Sequence, residues 1–258
     1  MKGKWLVSLI QRVTDGSISP REAFKFIGWR FSKSKGPIKI EGLLFEDVDR
    51  MTWGLIATVL IDREYNPPGY ELGADYNVVD IGAHKGVFLS YAAKRTRGSI
   101  LAIEPDPENY QSLQRLVEIN GYRNAELMNA AVAAESGKVR LYRSVVSSRH
   151  TLIGVDQKLG EPLDESIEVA SISLDDALVN FEVVNFLKMD CEGAEYSILM
   201  SCSDLTLSKI QYFVAELHGL DVDGTTESIL ERLAPVFTDI SIRKTSPGLG
   251  LIFARNAG

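Results

Sequence analysis

Cysteine is scarce in this chain: Cys191 and Cys202 are the two among 258 residues. Two thiols can build neither a disulfide framework nor a four-ligand zinc site, so reduced intracellular thiols are expected. Long apolar runs are missing too. The stretch Trp5 to Ile10 is too short and too interrupted for a signal peptide or a membrane span, which points to a cytoplasmic chain with no membrane span. The nine prolines and 21 glycines are scattered, so there is no low-complexity or collagen-like tract. No segment repeats at a solenoid or propeller period.

What is present is the balance of an ordinary globular protein, with 45% hydrophobic and 24% charged residues. The length allows one large domain plus an appendage. Charge is unevenly spread. Residues 1–40 carry nine Lys/Arg against Asp15 and Glu22, a net of +7; the whole chain carries −7, which leaves −14 for the rest. An acidic body argues against broad nucleic-acid binding. The basic N-terminus can touch an anionic partner or a membrane surface, or it can be a solvated arm, or dock on its own acidic body.

Residues 1–70 read as an appendage of helices and a short hairpin, and 71–258 as the main domain. Ser19-Pro20-Arg21-Glu22 is a capping box with proline at the first helical position. Phe24, Ile27 and Phe31 follow at helical spacing and predict one buried face. Pro37 to Phe45 predicts short strands and Thr52 to Asp62 a helix. Asn66-Pro67-Pro68-Gly69 then breaks the chain. Such an appendage, with an apolar helix face to bury, is expected to act as a lid or a homo-oligomer contact.

From residue 76 strand and helix alternate. Asn77 to Ile81 reads as a short buried strand, and Ile100 to Glu104, Ala125 to Met128, Val183 to Met189 and Gln211 to Leu217 as further strands. Between them lie helices from about Val87, Pro107 and Glu195. Val139 to Tyr142 and Ile167 to Ile172 read as further strands. Thr238 to Arg243 and Leu251 to Arg255, joined through Ser246-Pro247-Gly248, predict a closing antiparallel hairpin. The pattern predicts a doubly wound α/β domain with a mostly parallel sheet.

The strongest local signal is Asp80-Ile81-Gly82-Ala83-His84-Lys85-Gly86, between a strand and a helix. Gly82 and Gly86 would let the backbone approach a ligand closely. Asp80 suits the ammonium of a methionine moiety; an acid there is wrong for a pyrophosphate, which wants a bare helix N-terminus. Glu104 ends the next strand, where an acid can accept both ribose hydroxyls. NAD enzymes share that device, but Asp80 and the missing third glycine favour S-adenosylmethionine. Met128-Asn129-Ala130 ends the third strand, where a backbone amide or the Asn129 side chain could meet an adenine.

These residues, together with later motifs, resemble the FkbM family of methyltransferases over about residues 75 to 220. The resemblance rests on Val79-Asp80-Ile81-Gly82-Ala83, Glu104-Pro105, Asn129-Ala130-Ala131-Val132, Ser173-Leu174-Asp175-Asp176, Phe186 through Glu195, and Glu216-Leu217-His218. Its most specific part is Leu187-Lys188-Met189-Asp190-Cys191-Glu192-Gly193-Ala194-Glu195. The resemblance implies a class I methyltransferase (Rossmann-like) fold with a seven-stranded sheet and a C-terminal antiparallel hairpin. It also implies O-methylation of a sugar or natural product with S-adenosyl-L-methionine as cofactor. His84 departs from the family, which usually carries asparagine there.

The expected cofactor set is Asp80, Gly82, Ala83, Gly86, Glu104, Pro105, Asn129, Ala130 and Asp190. The candidate catalytic residues sit at later strand ends: Lys188, Asp190, Glu192 and His218. Asp190 or His218 is placed beside the reacting hydroxyl; if Lys188 pairs with Asp190, His218 becomes the base. Glu195 is expected to cap its helix. A divalent metal on Asp190, Glu216 and His218 is chemically possible but not expected. Ser147-Ser148-Arg149-His150 lies in a long connection, where His150 is either an exposed loop residue or an acceptor contact. The expected acceptor is a small molecule, with no nucleic acid; RNA ribose 2′-O-methylation and a non-catalytic nucleoside-binding scaffold are the alternatives.

Overall fold

The computed structural model describes residues 4–32, 36–144, 146–155, 162–220, 222 and 224–256. Of the nine N-terminal basic residues, Lys2, Lys33 and Lys35 lie outside that set. The chain begins with helices α1 (Lys4–Thr14) and α2 (Pro20–Phe31), then the hairpin β1 (Ile38–Ile40) and β2 (Leu43–Phe45). Helix α3 (Arg50–Ile56) runs on into one π-helical turn, Ala57–Ile61. The α2 capping box forms as the sequence predicts: Glu22 N–H donates to Ser19 Oγ and Ser19 N–H to Glu22 Oε2.

Next come β3 (Val78–Ile81), α4 (Val87–Ala93), β4 (Ile100–Ile103), α5 (Pro107–Asn120) and β5 (Ala125–Met128). A separate three-stranded sheet follows, made of β6 (Ala131–Ala133), β7 (Gly137–Tyr142) and β8 (Ser166–Ser173). The chain then gives α6 (Leu174–Ala177), β9 (Val184–Met189), α7 (Glu195–Ser201), α8 (Asp204–Ser208) and β10 (Ile210–His218). It closes with α9 (Thr225–Leu233), β11 (Asp239–Ser246) and β12 (Leu249–Arg255).

The main sheet has seven strands in the order β11-β12-β10-β9-β3-β4-β5. Strands β10, β9, β3, β4 and β5 run parallel, and β12 pairs antiparallel with both β10 and β11. This is the class I methyltransferase layout. The two strands read from Val139 to Ile172 are real, but they form the small sheet with β6 instead of joining the large one. Strand order reverses at β3: β4 and β5 extend one way, and the chain returns to lay β9 on the other side. A crevice at the carboxyl ends of such strands is where open α/β sheets bind ligands.

Alternate residues of each central strand enter different cores. Val78, Ile100, Phe186 and Val214 face one side. Val79, Leu101, Leu187 and Phe213 face the other, against α7 and α9. The first side is covered by α4, α5 and the N-terminal helices, so residues 4–61 share a core with the sheet. Trp53 stacks on Phe26 at 4.6 Å and meets Trp5 edge-on at 5.3 Å. Here the helical spacing of α2 misleads. Ala23 and Phe26 point inward, whereas Phe24 and Phe31 are 78% and 79% exposed. The segment is apolar on two faces, and the spacing alone does not select between them. Among the described residues no helix is long and apolar enough to cross a membrane.

The hairpin tip is clamped by charge. Glu41, at φ 53° with its side chain 1% exposed, lies against Arg63, against Arg95 at 3.0 Å and against Lys94 at 3.6 Å. Arg63 and Arg95 also sit over the Tyr91 ring at 4.5 and 3.7 Å. Removing one partner from a buried charge cluster leaves the others uncompensated. Glu41→Gln should therefore lower the unfolding free energy by about 3 kcal/mol. Chemical denaturation checks this, and a loss below about 1 kcal/mol would show that solvent already screens the cluster.

Candidate active site

The glycine turn after β3 is shaped by its neighbours. Gly82 has φ 73°, and a Cβ there would lie 1.8 Å from the carbonyl oxygen of Asp190. Gly86 has φ 85°, and a Cβ there would meet Leu116 and Leu113 of α5 at 2.4 and 2.6 Å. Both positions demand glycine for backbone conformation and for protein packing, a reason that the turn's own sequence does not show. Gly82 and Ala83 line the cleft described below, and Gly86 does not.

Asp80 is also corrected. Its carboxylate is fully buried and pairs with Lys188 Nζ at 3.1 Å across the β3–β9 register, so it does not face a ligand amine. The same ammonium donates to the carbonyls of Gly82 at 2.8 Å and Ile81 at 3.3 Å. Burial opposes the Lys188 charge, but Asp80 and Asp190 outweigh it and hold the ammonium above its ordinary range. Lys188 thus ties β9 to the glycine turn; its carboxylate partner is Asp80 rather than Asp190.

Glu104 sits just past β4, 5% exposed. Its Oε2 accepts the His84 N–H at 2.8 Å, and its Oε1 accepts the Asp106 N–H at 3.0 Å. Oε1 also accepts the Asn109 amide at 3.3 Å, so Oε2 is the oxygen with a lone pair left for another donor. Burial pushes the carboxyl up to about 7 against the opposing hydrogen bonds. His84, at φ 50°, stays neutral because burial and Lys85 lower it to about 4; its Nε2 meets Ser147 Oγ at 3.0 Å. Pro105 and Ala130 line the cleft beside Glu104. Asn129 does not: its amide donates to the Glu104 and Pro105 carbonyls at 2.8 and 3.1 Å, so the adenine contact expected of its side chain is replaced by a loop brace.

Past β9 the chain turns through a second left-handed residue, Glu192, at φ 50°. Asp190 Oδ2 accepts the Tyr65 hydroxyl at 2.9 Å, while Oδ1 is buried with no hydrogen-bond partner among the described residues. Burial and the Asp190 charge raise Tyr65 well above its usual value, so it remains a donor. His218 has a fully buried side chain, with Nε2 3.2 Å from Glu192 and Nδ1 3.3 Å from Glu195. Burial opposes its charge, but Glu195 and Glu192 prevail and push it up to about 11. An imidazolium between two carboxylates has no lone pair to offer, which corrects the reading of His218 as general base. Glu195 accepts the Cys191 and Gly193 N–H groups, closing the turn ahead of α7.

These elements line one cleft of about 800 Å³. Glu104 and Ala130 lie at its β4 end; Asp190, Glu192 and Glu216 lie at the ends of β9 and β10. Leu55, Thr58 and Tyr65 of the N-terminal segment and the hairpin tip Thr245–Pro247 also line it. A strap of residues 147–152 crosses over. Ser147 meets His84 and accepts from Asn109, and Thr151 Oγ1 donates to the Glu192 carbonyl at 2.6 Å. His150 belongs to this strap, its Nδ1 accepting the Ser144 N–H at 3.0 Å. Tyr65, Glu64 and the hairpin tip carry no local sequence signal. Tyr65 meets Asp190 from 125 residues away, just before the proline break that reads as a boundary.

A divalent cation would find Asp190, Glu192 and His218 with ligand atoms within 4.8 Å of one another among the described residues; Glu216 is not in that group.

The His218 assignment has a consequence for stability. Its folded value of about 11 lies above its ordinary 6.5, so the folded state binds the proton more tightly. The associated stability is complete below pH 6.5 and is lost as pH rises through 11. Between about pH 7 and pH 10 the unaltered protein should lose up to about 1.4 kcal/mol per pH unit more than His218→Gln does. Denaturation curves across that range check it, and parallel curves for the two proteins would contradict it.

The family model described as the methyltransferase FkbM domain matches residues 80–235, more than half of the chain. A 31-O-demethyl-FK506 methyltransferase from Streptomyces tacrolimicus is 26% identical over 206 residues, covering 69% of this chain and 78% of that protein. Methyltransferase 1 of Beauveria bassiana is 25% identical over 192 residues, covering 67% and 76%. An rRNA methylase structure from Streptococcus thermophilus aligns with a TM-score of 0.45 at 10% identity, over 72% of this chain and 90% of that one. With the class I sheet and a cleft at the carboxyl ends of its central strands, the match to more than half of the sequence shows that this chain belongs to the FkbM methyltransferase family.

Proposed function

We propose that this chain is an S-adenosylmethionine-dependent O-methyltransferase acting on a hydroxyl of a sugar or other small molecule. The observation that carries the proposal is one cleft with Glu104 at one end and, at the other, Asp190, whose Oδ1 has no hydrogen-bond partner among the described residues. Its volume suits a nucleoside cofactor with a small acceptor beside it. Charge supports the same reading. Glu64, Asp190, Glu192 and Glu216 line the cleft, against Arg149 in the strap, while Lys188 and His218 are engaged by internal carboxylates. That surface suits a sulfonium and an ammonium, and repels a pyrophosphate or an RNA backbone. The Streptomyces relative, named for methylating 31-O-demethyl-FK506, supports oxygen as the acceptor atom.

The residues present fit the cofactor. Glu104 would hold the ribose through the lone pair left on Oε2, and Ile103, Pro105 and Ala130 would wall the base. When bound, S-adenosylmethionine supplies an electrophilic methyl group on a sulfonium. The protein must then orient the acceptor hydroxyl and take its proton. Tyr65 fixes Asp190 by occupying Oδ2, which leaves Oδ1 to accept the hydroxyl proton. An alkylated oxygen is strongly acidic, so a carboxylate is base enough. Glu192 and Glu195 hold His218 in place, and the strap limits water at the Glu104 end.

Calorimetry with S-adenosylhomocysteine tests the cofactor half. Glu104→Ala should weaken binding by at least about tenfold; absence of binding to the unaltered protein would refute the proposal. With an acceptor found by screening for S-adenosylhomocysteine release, Asp190→Asn should lower turnover by about 10²-fold or more while cofactor affinity persists. Unchanged turnover would leave Asp190 as a partner of Tyr65 only.

A further inference from the structure

The two N-terminal helices each bury one apolar face and expose another. In α1, Leu9 is buried and Trp5 and Val13 pack against the same core, whereas Leu6, Val7 and Ile10 are 41%, 69% and 58% exposed. In α2, Phe24 and Phe31 stand in solvent, seven residues apart on one face. Arg21, Lys25 and Gly28 share that face at spacings of three and four. Isolated exposed apolar residues are ordinary, but five on two consecutive helices, two of them phenylalanines more than three-quarters exposed, are not.

The charge around them has one sign. Lys4, Arg21, Lys25, Arg30 and Lys39 are exposed. The two acids of the first 40 residues are used locally: Asp15 with Arg12 and Ser17, and Glu22 with Ser19 and Gly42. The +7 of residues 1–40 therefore stands against the −14 of the remaining chain.

We propose that this face docks on an anionic lipid bilayer. Exposed phenylalanine and aliphatic side chains enter the headgroup and acyl boundary, and flanking Lys and Arg reach the phosphates while their stems stay in the apolar layer. The charge asymmetry sets the orientation, since a negative surface attracts the N-terminal helices and repels the body. A second copy presenting the same face would bring like charges together, which favours the bilayer over self-association. Docking also brings the cleft close to the membrane, because α1 packs on the π-helical turn whose Thr58 and Val59 line it.

Flotation of the full chain with vesicles tests this, using phosphatidylcholine alone and phosphatidylcholine mixed with phosphatidylglycerol, each in low and high salt. The chain should bind the mixed vesicles, bind pure phosphatidylcholine far less, and be released in large part by salt. Arg21→Gln with Lys25→Gln should weaken binding by about fivefold per cation removed. Phe24→Ser with Phe31→Ser should weaken it by about tenfold or more. All four side chains are exposed, so the melting temperature should hold, and it is recorded for each variant. Binding that ignores lipid charge, or is unchanged in both variants, overturns the proposal. So does a dimer, seen by light scattering and broken by the phenylalanine substitutions, without vesicle binding; that result assigns the face to a second copy.

Discussion

The buried contact between Lys188 and Asp80 is what the rest of the site hangs on. Two charges taken out of water are costly unless each is well paired. Here the ammonium reaches one carboxylate and two carbonyls, all from β3 and the turn that follows. The contact lies at the reversal of strand order and fixes how closely the glycine turn approaches β9. That closeness is why Gly82 tolerates no side chain beside the Asp190 carbonyl. It also sets the end of β9, and with it Asp190, at the mouth of the cleft. A residue that looks catalytic by its position is thus the fastening on which the catalytic candidates depend.

A second fastening works the same way further along. His218 is held between Glu192 and Glu195, and Glu195 in turn accepts two backbone N–H groups of the turn after β9. Two of the residues lining the cleft, His84 and Glu192, adopt left-handed backbones that non-glycine residues rarely take. Their surroundings hold them there: Glu104 accepts from the His84 N–H, and Thr151 donates to the Glu192 carbonyl. Helix α3, the π-helical turn and Tyr65 complete the wall of the cleft, so it is built from segments far apart in the chain.

Much of the fold was legible in the sequence, because its signals are local. Short apolar strands, Asp106 and Gly121 bounding α5, and the Ser19 capping box each report on a few neighbouring residues, and the structure follows them. The family motifs marked the right edge of the sheet. What the sequence did not show depends on who faces whom across long separations. Asp80 and Lys188 are 108 residues apart, and only strand register brings them together. Gly86 is glycine because of leucines on α5, a reason invisible at the turn itself. Phe24 and Phe26 obey helical spacing equally well, and only the position of Trp53 decides which one is buried. Histidine at position 218 looks like a base until the two carboxylates around it are seen.

Glu104 and Asp190 are proposed to hold a sulfonium nucleoside between them in the cleft. A crystal structure of the chain with S-adenosylhomocysteine tests it most directly. The ribose hydroxyls should lie on the Glu104 carboxylate, the adenine against Pro105 and Ala130, and the sulfur toward Asp190. A ligand bound elsewhere, or one whose ribose leaves Glu104 untouched, would contradict it.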